Sequence, residues 1–148
     1  MTRILIAIDF SDAGQAALEA GIGLAKDLRQ DLLLVHAFPE PMKAPVAAGM
    51  GYQEVFQHYA SEHEMDEAIR LTTDYADQAR DAGLDVEILA AAKDPVDLIL
   101  EGEQRKDVTM VVVGTHGKSG FKRFVLGSVA ADVVAKSQTP VLVVPTRA

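Results

Sequence analysis

Four glycines, Gly114, Gly117, Gly120 and Gly127, punctuate the stretch Val111 to Val134 (V-V-V-G-T-H-G-K-S-G-F-K-R-F-V-L-G-S-V-A-A-D-V-V), and the cations Lys118, Lys122 and Arg123 gather between them. Glycines let main-chain N–H groups approach an anion that a Cβ would hold off. A helix start adds unpaired donors and a partial positive charge. The β-branched run Val111 to Val113 breaks at Gly114, and helical spacing resumes after Gly127-Ser128, so the order is strand, loop, helix. In a parallel α/β sheet that is where phosphates bind, and a nucleotide is the first ligand to expect. The competing reading is a solvated basic loop without a ligand.

Two familiar phosphate motifs fail on spacing. Gly117-Lys118-Ser119 ends like a Walker A loop, but the first glycine of that motif would fall on Val112, and the glycines at 114, 117 and 120 are too evenly spaced for G-x-G-x-x-G. What stands is Gly114-x2-Gly117-x9-Gly127-Ser128. Amides around Gly117 and at Gly127, Ser128 and Val129 are the expected phosphate donors. The Ser128 hydroxyl can donate one bond more. It is also a good helix cap, and one oxygen can serve both purposes. Far away in sequence, Asp9 ends the apolar run Ile4 to Ile8. Two readings apply to it: a carboxylate at the ligand-bearing edge of the sheet, or a helix-start residue acting with Ser11 and Asp12.

The elements that must position these groups alternate in type. Strands are expected at Ile4–Ile8, Leu32–Phe38, Leu84–Ala91, Val108–Val113 and Val141–Val144. Helices are expected from Ser11 or Asp12 to about Arg29, from Tyr52 to about Ala82 with Gly83 as the stop, from Asp94-Pro95 to Gln104, and from about Ser128. Residues 39–51 carry three prolines and two glycines and read as a long mobile loop. His36 lies inside a strand and reads as a packed or backbone-bonded histidine rather than a base. His58 and His63, five apart, do not share a helix face suited to a metal. Five strands alternating with four helices predict a doubly wound α/β sheet.

The glycine signature, the opening I-L-I-A-I-D-F-S, the run L-L-V-H-A at 33–37 and the closing T-P-V-L-V-V-P at 139–145 together resemble the ATP-binding branch of the universal stress protein family, in that family's order. The resemblance implies a Rossmann-like sheet of order 3-2-1-4-5, which brings Asp9, Ala37 and Gly114 together between strands 1 and 4. It implies that main-chain groups at Ala37 read an adenine edge and that Ala7, Ala37 and Val113 line base and ribose. Asp9 would meet the ribose or a phosphate-bound Mg2+, amides around Gly117 and at Gly127, Ser128 and Val129 would hold the phosphates of ATP, and Gly114, Thr115, His116 and Lys118 would complete the nucleotide site. No metal is assigned directly to the protein. The resemblance also implies a homodimer through Val141–Val144. Lys93 stands where many relatives have glycine, and Thr109 where they often have aspartate.

Length and composition set the limits. The 148 residues suit one domain, 1–148, and 49% apolar residues argue against disorder. The absence of cysteine excludes disulfides and thiolate metal sites, and the net charge of −8 disfavours nucleic acid and anionic membranes. No apolar run is long enough for a signal-peptide core or a membrane span, so a soluble, cytoplasmic protein is expected. Three functions follow: an ATP-dependent regulatory sensor or adaptor with an unknown protein partner, a slow ATPase or autophosphorylating protein in which Lys118, Arg123 and His116 supply charge, and a nucleotide-independent interaction module. No residue pattern marks a committed catalytic base.

Overall fold

The structure is a computed structural model that describes residues 1–38, 51–115 and 126–146, with the backbone alone for 51–62 and 64. The chain runs β1 (Arg3–Ala7), α1 (Asp12–Leu28), β2 (Asp31–Phe38), α2 (Gly51–Asp81), β3 (Val86–Ala92), α3 (Pro95–Glu103), β4 (Val108–Gly114), α4 (Ser128–Lys136) and β5 (Val141–Val144). All neighbouring strands pair in parallel, in the order β3-β2-β1-β4-β5 that was expected. Among the described residues no helix is long and apolar enough to cross a membrane.

The continuous apolar strands are explained by helices on both faces. Successive side chains point to opposite faces. Ile4, Ile6, Leu32 and Leu34 therefore join Ala17, Leu18 and Ala25 of α1 and Ala76 and Ala79 of α2 in one core layer. Leu5, Leu33, Val35, Val111 and Val113 pack with Val96, Leu98 and Ile99 of α3 and Val133 of α4 in the other. Burying each such Leu, Ile or Val side chain contributes about 1.5–3 kcal/mol, which holds β1, β2 and β4 in register.

Boundaries move where backbone hydrogen bonding overrides composition. α2 ends at Asp81, and the turn after it closes at Gly83, which takes φ 89° and whose N–H donates to Arg80 O at 2.9 Å. Leu84 then returns its N–H to Ala79 O at 3.2 Å, so the third strand starts at Val86, two residues later than expected. Gly51, placed by composition in the loop, is the first residue of α2; the remainder of that expected loop, 39–50, lies outside the described residues.

Candidate functional site

β1 leads to β2 on one side and has β4 on its other side, so the sheet's switch point opens between the C-terminal ends of β1 and β4. A cleft of about 310 Å³ occupies it. That is the lower end of the range for small-molecule sites. Ala7, Ile8 and Asp9 enter from the end of β1, Val35 and Ala37 from β2, and Val113, Gly114 and Thr115 from the end of β4. Gly127, Ser128, Val129 and Ala130 close it from the start of α4, Pro95 and Ile99 from α3, and Gly14 from α1. Of the residues predicted from sequence, Ala7, Asp9, Ala37, Val113, Gly114, Thr115, Gly127, Ser128 and Val129 all line this space. His116, Gly117 and Lys118, with Lys122 and Arg123, lie outside the described residues.

The α4 end differs from expectation in two details. Gly127, not Ser128, is the N-cap, no side chain caps the helix, and Ser128 is its first helical residue. Moreover, the Gly127 N–H already donates to Thr115 O at 2.7 Å, while the Thr115 N–H donates to Val144 O at 3.1 Å. The chain returning to the sheet closes against the end of β4, an event that counting donors in a motif cannot foresee. Ala131 bonds back to Gly127 O at 3.0 Å, so the amides at this helix start without a partner among the described residues are those of Ser128, Val129 and Ala130. Ala130, which the motif does not include, also lines the cleft.

Gly114 also has a packing reason to lack a side chain. A Cβ there would meet Ala13 O, C and Cβ at 2.7 to 2.8 Å. Its smallness lets the first turn of α1 lie against the end of β4. Gly14 is similarly confined, since its Cβ would come within 2.6 Å of Asp9 Oδ1. No sequence signal distinguished Gly14 from an ordinary helical glycine. Pro95 and Ile99, one turn apart on α3, were legible as helix but not as cleft wall.

Asp9 lines the cleft and also makes the bonds of a helix-start residue. Its Oδ1 accepts the Ser11 N–H at 3.1 Å and the Ser11 hydroxyl at 2.5 Å, and Ser11 Oγ accepts the Gly14 N–H at 3.1 Å as the N-cap of α1. Asp9 thus braces the helix start with one oxygen, while Oδ2 makes no hydrogen bond among the described residues. Behind it, buried His36 packs as anticipated, its Nδ1 lying 2.8 Å from Ile8 O and its ring against Phe10. Burial raises the pKa of the nearby Tyr75 phenol, and the negative charges of Asp9 and Asp12 raise it further. Chemically, the cleft's lining combines small residues, the first amides of α4 and one carboxylate. Among the described residues no group of three or more His, Asp or Glu side chains could hold a metal ion.

Comparison with known proteins bears on this geometry. The profile of the Universal stress protein family matches residues 1–145. Universal stress protein YxiE of Bacillus subtilis is 32% identical over 145 residues, covering 96% of this chain and 97% of that protein. The solved structure of MJ0577, a universal stress protein of Methanocaldococcus jannaschii, superposes with a TM-score of 0.83 at 25% identity over 99% of this chain and 97% of that one. A universal stress protein solved in complex with cAMP superposes with a TM-score of 0.67 at 26% identity over 99% of this chain and 98% of that one. Profile and relatives span nearly the whole chain, and it belongs to the universal stress protein family.

Proposed function

We propose that the cleft binds an adenine nucleotide, ATP above all, and that the protein works as a nucleotide-dependent sensor or adaptor in a stress response. The observation that carries this reading is that the start of α4 and Asp9 line one cleft of about 310 Å³. Phosphates suit the amides, whose donors and helix dipole favour negative charge. Base and ribose suit the floor of Ala7, Val35 and Ala37, where small side chains leave room and the main chain near Ala37 can hydrogen-bond a purine edge. The relative solved with cAMP supports an adenine nucleotide as the ligand class. With Oδ1 engaged by Ser11, Asp9 retains one oxygen, which fits a Mg2+ carried on phosphates and completed by water rather than one caged by protein.

Calorimetry of nucleotide-stripped protein with ATP tests the proposal. We expect saturable binding by the wild-type chain and none by Gly127→Val, which adds a branched side chain to a residue lining the cleft, with the fold retained by circular dichroism. Equal affinity in the two proteins would refute the assignment.

A further inference from the structure

Phe10 takes φ 63°, and it and Arg29 are the non-glycine residues with positive φ among those described. For a bulky side chain this is a genuine outlier that persists only where the surroundings over-determine it. Arg29 has an ordinary reason, being the left-handed C-cap of α1. Phe10 lies instead between Asp9, which lines the cleft, and Ser11, the N-cap of α1.

The surroundings of Phe10 account for its conformation. Its ring lies 4.4 Å from the His36 ring and meets Tyr75 of α2 edge-on at 5.3 Å. His36 is itself anchored through Nδ1 to Ile8 O at 2.8 Å and backed by the Phe38 ring at 6.3 Å. These contacts belong to the core layer shared by β1, β2, α1 and α2, whereas Asp9 faces the cleft. The left-handed residue turns the chain sharply, so that the Asp9 carboxylate can fold back over it and take both Ser11 donors.

We propose that Phe10 is a positioning residue: the clamp of His36 and Tyr75 fixes its left-handed backbone, which holds the Asp9 carboxylate at the cleft with Oδ1 committed to Ser11 and Oδ2 available to a ligand. This deepens the nucleotide reading and rests on it for the identity of the ligand. It also makes α2 a part of the site, since one wall of the clamp is Tyr75, a residue that lines no part of the cleft.

The test separates backbone conformation from simple packing. Phe10→Ala loses the ring and keeps the left-handed penalty, whereas Phe10→Gly loses the ring and the penalty together. Phe10→Ala should weaken ATP binding about tenfold, and Phe10→Gly should recover to within about threefold of wild type. In an Asp9→Asn background the Phe10→Ala loss should largely vanish, because the two changes act on one interaction. Tyr75→Ala, which opens the clamp from another element, should show the same dependence on Asp9. Amide exchange at Ser11 and Gly14 reads the turn without any ligand and should quicken in Phe10→Ala but not in Phe10→Gly. If wild-type protein takes up no ATP yet shows this exchange pattern, the nucleotide reading fails and the positioning role stands. The positioning role is overturned if Phe10→Gly is as impaired as Phe10→Ala, if the losses persist in full in Asp9→Asn, or if exchange is unchanged by Phe10→Ala.

Discussion

Tyr75 reports on the charge of Asp9, which lines the cleft, and of Asp12. Burial comes first among the causes that raise its pKa above 10.0, followed by Asp9 and Asp12, because a tyrosinate beside carboxylates would be a like charge. Asp9→Asn should therefore lower the Tyr75 midpoint in an absorbance or NMR titration, and a midpoint that stays put would mean the carboxylate is not where the structure has it. The folded state holds this phenolic proton more tightly than the unfolded chain does. The resulting stability is fully present below pH 10.0 and is lost as pH rises through the higher folded value. Tyr75→Phe removes that contribution, so its urea midpoint should fall less steeply above pH 10 than that of wild type; parallel curves would contradict the linkage. Gly114 gives a steric counterpart. The atoms a Cβ would strike are largely backbone of Ala13 and cannot swing aside, so Gly114→Ala should cost about 1–3 kcal/mol in urea unfolding. An undisturbed midpoint would show that α1 and β4 can part without penalty.

At the scale of elements, the start of α3 was the most legible feature. Asp94 accepts the Asp97 N–H at 3.2 Å and Pro95 follows at the first turn, as the pair of residue types demands. Asp94→Ala should cost about 1 kcal/mol of stability, again read by urea denaturation. An unchanged value would mean that Pro95 alone fixes the turn. Strand order and the buried strands were equally legible, because a parallel sheet covered on both faces writes long apolar runs and the resemblance supplied their order. The rest required contacts between distant residues. Arg3, nearly buried, donates to Leu32 O at 2.9 Å and forms ion pairs with Asp85 at 2.6 Å and Glu87 at 3.0 Å, tying together the N-terminal ends of β1, β2 and β3. Glu103, also buried, accepts the Ser137 hydroxyl and, at 3.1 Å, the Gln138 N–H, fastening α3 to the turn before β5. Neither side chain has a local pattern that marks its partner. The same holds within the cleft, where the spacing 114-117-127 pointed to the place but could not reveal that Thr115 claims the Gly127 amide or that Ala130 also lines the cleft.

At the scale of the molecule, the sheet ends in two edges that differ in chemistry. β3 carries Glu87, which is held by Arg3 and Arg105, the latter at 2.7 Å. A charge on an edge strand discourages another strand from adding to it. β5, Val141 to Val144, carries none, pairs among the described residues with β4 alone, and leaves Leu142 39% exposed. An uncharged edge with an exposed leucine needs a cover, and a second copy of the same strand about a twofold axis provides one, because such an interface is self-complementary. We therefore predict a homodimer through β5, with a mass by light scattering at micromolar concentration of twice 15.9 kDa. Leu142→Lys should give the monomer with its far-ultraviolet spectrum intact, since the side chain is already partly in solvent. Because association stabilises only the folded chain, the wild-type melting temperature should climb with protein concentration, while that of Leu142→Lys should not. A wild-type monomer with a concentration-independent melt would leave β5 as a bare edge and remove the dimer from the account of this protein.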